Sequence, residues 1–245
     1  MDSEDPIAVA VTAAIRSGDL PRLRELLGAH PALARATLVR TGAAAGGRSL
    51  LHIVTDWPGH PPRGPEVIRL LVEAGADPTA RFVGAHAETP LHWAASNDDV
   101  AAIDALIDCG AEVEAGGGII GGGTPLSDAR AFGQWRAARR LLEHGAHADF
   151  QDAASLGLLD RIEAFLAAPT PPGPDEITAA FWGACHGGSL AAARYLLAHG
   201  ADLDWIGYDG LTPLDIARSQ DADGAREVTA WLLERGAHPA ADLIE

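Results

Sequence analysis

Residues 89–115 read TPLHWAASNDDVAAIDALIDCGAEVEA, and the stretch recurs as TPLSDARAFGQWRAARRLLEHGAHA over 124–148 and as TPLDIARSQDADGAREVTAWLLERGA over 212–237. Each part has a physical job. A threonine ahead of proline caps a helix, and proline in the first turn forfeits no hydrogen bond. Small residues such as Ala94 and Ala95 let a paired helix approach closely. Leu106 and Ile107, and in the next copy Leu141 and Leu142, supply the apolar stripe of that second helix. Gly110, Gly145, Gly200 and Gly236 follow such helices, where a left-handed residue ends them. The spacing predicts helix–turn–helix units that cannot bury their apolar faces alone and must stack continuously.

Weaker copies lie to either side. One starts at Ser49 (SLLHIVTDW…VIRLLVEAGADP) and another at Ala179 (AAFWGACHGGSLAAARYLLAHGADL). Two more are reduced to their helices: AVTAAIRSGDLPRLRELLGAHPAL near the amino terminus and AASLGLLDRIEAFLAAP from Ala153. The shared pattern, TPLHxAAxxG followed by an apolar helix and GAD, resembles the ankyrin repeat. At about 33 residues per unit the resemblance covers nearly the whole chain, with seven units at roughly 7–35, 48–81, 88–116, 123–148, 149–169, 176–206 and 210–240. It implies an all-α solenoid of helix–turn–helix units joined by short β-hairpins, in a single array over 1–245. Departures are local. PGHPPR (58–63) lengthens one turn, thirteen residues from Ala36 to Arg48 replace a simple hairpin, and the connections before Thr89 and Thr124 are long. Hairpin residues are missing between Gly145 and Ala153, and PTPPGP (169–174) bridges to the sixth unit.

Composition narrows the function classes. The 245 residues carry 34 acidic and 18 basic side chains, a formal charge of −16, and every cation is arginine because the chain has no lysine. Schiff-base, phosphate-loop and general-base lysines are therefore excluded. Nucleic acid is an unsuitable partner for so acidic a surface. Alanine is about one residue in five, against seven phenylalanines and tyrosines together, as closely packed helices require. Two cysteines, Cys109 and Cys185, are too few for a disulfide framework and fit a reducing, cytoplasmic setting. The amino terminus lacks the cationic region of a signal peptide, and no apolar run is long enough to span a membrane. The alanine, glycine and arginine bias suits a GC-rich bacterial genome.

Several motifs fail on inspection. GGGIIGGGT (116–124) contains G-x-G-x-x-G and nearly a phosphate loop, but Gly123 stands where lysine is needed and no strand of a βαβ unit precedes it. The segment reads as a flexible hairpin tip that feeds a helix amino terminus and is able to cradle a small anion. No HExxH or paired CxxC occurs, so neither a metal nor any other cofactor is expected. His52 and His92 occupy the repeat's own histidine position, which implies a structural ring bonded to neighbouring backbone. Cys185, at a small-residue position, reads as a packed thiol.

In the ankyrin family, ligand contacts come from the hairpin tips and from the first helix just before its terminal glycine. Those positions here hold Asp56, Trp57 and His60 in the second unit; His86, Glu88, Trp93, Asn97 and Asp98 in and before the third; Asp128 and Trp135 in the fourth; His186 in the sixth; and Trp205, Tyr208 and Asp209 in the hairpin DWIGYDG. Ser96 and Phe132 neighbour them. Indoles interleaved with carboxylates suit a cationic or arginine-bearing partner. The expectation is a binding module that recognises another protein through its concave face and hairpin tips. The alternative is a small-molecule binder or lysine-free enzyme in which His60, Glu88, Asp98, Asp128 and His186 converge beside the tryptophans. A third reading, a structural cap or nucleic-acid mimic, is weakened because the carboxylates are dispersed rather than in blocks.

Overall fold

The structure is a computed structural model and describes residues 1–40, 46–220 and 224–243. The chain divides into two compact units, Met1–Ala146 and His147–Glu245. Among the described residues the first unit holds four helix pairs: α1 (Pro6–Ser17) with α2 (Leu20–Ala29), α3 (Leu50–Thr55) with α4 (Gly64–Glu73), α5 (Pro90–Ser96) with α6 (Val100–Asp108), and α7 (Pro125–Ala131) with α8 (Trp135–Glu143). The second unit holds three: α9 (Phe150–Ser155) with α10 (Leu159–Leu166), α11 (Pro174–His186) with α12 (Leu190–Ala198), and α13 (Pro213–Ser219) with α14 (Ala225–Glu234). Within each unit, first helices stack on first helices and second on second, which makes two helical layers.

The local reasons match the motif. Thr124 and Thr212 accept hydrogen bonds from the third residue of α7 and α13, with proline following each cap. Ala94, Ala95, Ala102, Ala129, Ala137 and Ala138 are fully buried between layers, where a larger side chain has no room. Leu106 and Leu141 are buried, while Ile107 and Leu142 lie half-buried; a buried leucine contributes about 2 kcal/mol through the apolar area it removes from water. The glycines that end α6, α8, α12 and α14 have φ of 96°, 89°, 94° and 80°, the left-handed region expected of them.

The departures from the repeat have structural outcomes. The long connection ahead of α3 forms an antiparallel hairpin of β1 (Thr37–Arg40) and β2 (Gly46–Ser49), with Val39 opposite Gly47; its turn, 41–45, lies outside the described residues. Gly47 in turn bridges Val83 of the next connection. In the second unit the shortened connection lets Asp149 cap α9 directly, by accepting from the Asp152 amide at 2.7 Å. Past the proline-rich segment, α11 runs for 13 residues, where α5, α7 and α13 have seven. It packs so closely on α9 that a Cβ at Gly187 collides with the Ser155 carbonyl. The core of this unit centres on Phe181, fully buried, with the Trp231 ring 6.4 Å away.

Candidate functional site

The histidines of the repeat motif are structural. The backbone amide of Thr89 donates to His92 Nδ1 (3.1 Å), so the ring proton sits on Nε2, which donates to the Gly123 carbonyl of the next hairpin at 3.1 Å. His52 repeats this arrangement with Ser49 and the Glu88 carbonyl. Burial holds both imidazoles neutral, with pKa values lowered to about 4. In the second unit an indole takes over the job, since Trp182 Nε1 donates to the Leu211 carbonyl at 2.9 Å. In each of these three repeats one side chain thus ties an inner helix to the next connecting loop.

Most of the candidate polar residues of the first unit are engaged in the same kind of stitching. Asp56 takes ion pairs from Arg48 (2.5 Å) and Arg16 (3.4 Å). The inserted turn docks His60 on the following repeat: its backbone amide donates to Asp99 Oδ2 at 2.9 Å, and its ring lies 3.0 Å from the Asn97 carbonyl. Asn97 donates to the Thr55 and Trp93 carbonyls at 2.8 and 3.0 Å, joining the ends of α3 and α5. Asp98 accepts from the Ala137 amide at 2.7 Å, in the first turn of α8. Asp99, buried and absent from the sequence expectation, caps its own helix α6 through Ala102 as well as holding His60.

Glu88, Trp93 and Asp128 group around the start of α5 and α7. Trp93 packs edge-on against His52 (4.9 Å) and against Phe82 (5.5 Å), and its indole hydrogen-bonds the Glu88 side chain. Phe82 had no signal in the repeat pattern because it lies in the unit's lengthened connection. Asp128 is fully buried beneath the glycine-rich hairpin, which is a hydrogen-bonded structure (Gly117 to Gly122, 2.8 Å; Gly118 to Gly123, 2.9 Å) rather than a loose tip. Gly118 passes so close that a Cβ there lies 2.7 Å from the carboxylate. The Ile120 amide points at Asp128 Oδ1 (3.4 Å), so the acceptor that fills the space under this loop is the protein's own carboxyl group. Asp128 Oδ2 is buried with no hydrogen-bond partner. Burial raises the Asp128 pKa to about 7 and raises that of Glu88 as well; the neighbouring Glu88 charge adds to the effect on Asp128. His86 is exposed in the connection, and Trp135 is half-buried at the start of α8.

Other candidates stand in the open. Trp57 is 80% exposed at the inserted turn. Sequence reading missed the apolar side chains of the first unit's connections: Val83 is 63% exposed, and Ile119 and Ile120 project from the glycine-rich hairpin. Their signal is aliphatic residues within lengthened connections, which the repeat pattern does not cover.

In the second unit, Trp205 and Tyr208 meet at 5.8 Å, edge to face, and Tyr208 stands 5.2 Å from Trp182. His186, buried, packs 5.3 Å from Trp182. Asp209, exposed beside Tyr208, has φ 56°. Tyr208 accepts a hydrogen bond from Gln151 at 3.0 Å. Trp205 and Tyr208, together with Phe150, Phe165 and Pro172, line a cleft of about 680 Å³, rimmed by Asp149, Asp175 and Glu176.

Cys185 is buried, and burial pushes its thiol far above the ordinary range, so it is a packing residue. Among the described residues, no group of three histidine, cysteine or acidic side chains is placed to hold a metal, and no helix is long and apolar enough to cross a membrane.

Stacked helix pairs with hairpin connections and a histidine that bonds the next repeat define a repeat solenoid. A family model described as ankyrin repeats (3 copies) matches residues 63–152 and 150–242, most of the chain, and the protein belongs to that family. Among solved structures, the human ASB11 ankyrin repeat domain is similar, with a TM-score of 0.53 and 19% identity over 95% of this chain and 98% of that one. No curated protein matches the sequence. Ankyrin repeats are in general protein–protein interaction modules.

Proposed function

We propose that this chain is a non-enzymatic binding module that recognises a protein partner through its connecting loops and the adjoining ends of its inner helices. The observation that carries the reading is a division of labour among the candidate residues. Groups able to do acid–base chemistry are committed to packing: His60 and Asp98 bond the neighbouring repeat, and Asp128 is sealed under a hairpin. Bulky rings and aliphatic side chains, by contrast, stand exposed in the connections, with Trp57, Val83 and Tyr208 foremost. Exposed aromatic anchors surrounded by polar residues are the composition of protein-binding hot spots. The free thiols of Cys109 and Cys185 support a reducing, cytoplasmic setting.

Photo-crosslinking tests this reading. A benzoylphenylalanine at position 83 or 57 should give one recurrent protein adduct in the lysate of the source cells. The same probe at Arg139 or Glu163, both exposed on second helices, should not. An adduct of equal yield from all four positions, or from none, overturns the proposal.

A further inference from the structure

The cleft of the second unit has a chemistry that specifies its occupant more closely than the fold does. Two pairs of rings form its apolar lining. Phe150 and Phe165 meet at 5.7 Å with planes 67° apart, and Trp205 and Tyr208 at 5.8 Å with planes 89° apart. An edge-to-face pair occupies only one of its four ring faces, and ring faces carry the negative end of the aromatic quadrupole. Three exposed carboxylates, Asp149, Asp175 and Glu176, lie on the rim. Among the described residues no arginine or histidine lines the cleft to neutralise them. Two of the carboxylates already serve the backbone, Asp149 as the cap of α9 and Glu176 by accepting from the Gly173 amide at 2.8 Å. Accepting a backbone hydrogen bond does not neutralise a carboxylate, and the partial positive charge at the start of α11 amounts to only about half of one unit charge.

A partner group that fills this space needs a delocalised cation, flat enough to stack on a ring and able to donate to carboxylates beside it. Guanidinium meets all three demands, whereas a compact, strongly hydrated ammonium meets them less well. We infer that the cleft bounded by Phe150, Phe165, Trp205 and Tyr208 seats an arginine side chain from an extended segment of the protein partner. The inference rests on the binding-module reading above and assigns that partner's chemistry at one place.

A fluorescein-labelled heptapeptide, Gly-Leu-Arg-Pro-Leu-Arg-Gly, titrated with the full chain at low salt, tests it against the same peptide carrying citrulline for arginine. Citrulline keeps the shape and removes the charge. The expected result is saturable binding of the arginine peptide, weakened about tenfold or more by citrulline, which corresponds to about 1.4 kcal/mol. The paired substitution Asp149→Asn with Asp175→Asn should weaken it similarly, since asparagine caps α9 as well as aspartate does and the loss is then electrostatic. Tyr208→Ala should weaken binding while Tyr208→Phe retains it. Quenching of tryptophan emission on titration, lost in Trp205→Phe, places the peptide in the cleft. Equal affinity for the two peptides, no binding, or binding unchanged by the double substitution overturns the inference. If crosslinks from positions 57 or 83 persist under that result, the binding-module reading stands and only the arginine seat is lost.

Discussion

At the scale of single residues, Asp98 shows how a carboxylate that looks like a ligand group is spent on the fold. It occupies the position between α5 and α6 where the repeat pattern has glycine, and it adopts φ 54° there. A non-glycine residue in that region costs on the order of 1 kcal/mol, least for Asn and Asp. The return is a hydrogen bond to the Ala137 amide, in a helix whose own cap position, Gln134, makes no side-chain bond. Asp98→Ala removes the acceptor and keeps the strained backbone, so it should cost about 2–3 kcal/mol. Asp98→Asn keeps both functions and should stay within about 0.5 kcal/mol of the parent. Urea denaturation of the two variants checks this; equal losses would show that charge rather than capping is what matters.

At the scale of elements, the glycine-rich hairpin and α7 enclose a carboxylate whose ionisation works against folding. The Asp128 pKa rises from 3.8 to about 7, so between those values the folded chain binds more protons than the unfolded one and stability falls as pH rises. The loss is complete above about pH 7, and Glu88 acts in the same direction. His52 and His92, lowered from 6.5 to about 4, act oppositely: the stability they preserve is full above 6.5 and drains away toward 4. Wild-type stability therefore passes through a maximum on the acid side of neutrality. Asp128→Asn should leave the acid limb and remove much of the alkaline decline, giving a gain on the order of 2 kcal/mol at pH 8 and little at pH 4.5. Melting curves at the two pH values measure it, and a gain of the same size at both would contradict the assignment. The helices themselves were legible in the motif, down to caps such as Thr124 and terminators such as Gly145. The partner of Asp128 was not, because the loop that covers it contains only glycine and isoleucine side chains and contacts it through backbone.

At the scale of the whole molecule, the charge of −16 is the dominant collective property. With 18 cations against 34 anions, self-repulsion within a compact chain destabilises it, and mobile ions relieve that repulsion over about a Debye length. Raising sodium chloride from 20 to 200 mM should therefore raise the melting temperature by a few degrees. It should weaken the arginine peptide over the same range. A melting temperature that falls with salt would mean that ion pairs such as Arg48–Asp56, and not net repulsion, set the balance.

The sequence by itself determined the repeat unit, its helices and its family, because capping, proline placement, alanine spacing and terminal glycine all act within one turn of the backbone. It also excluded lysine chemistry outright, and its clustered rings pointed to the hairpins. Tertiary structure alone decided which candidates are occupied and which are open. Asp98 finds its amide 39 residues away, Asn97 reaches a carbonyl 42 residues back, and Gln151 reaches Tyr208 over 57. Such partners lie one or more repeats away along the stack. A pattern that repeats about every 33 residues places a side chain within its own unit and leaves its neighbours across the stack to be set by packing.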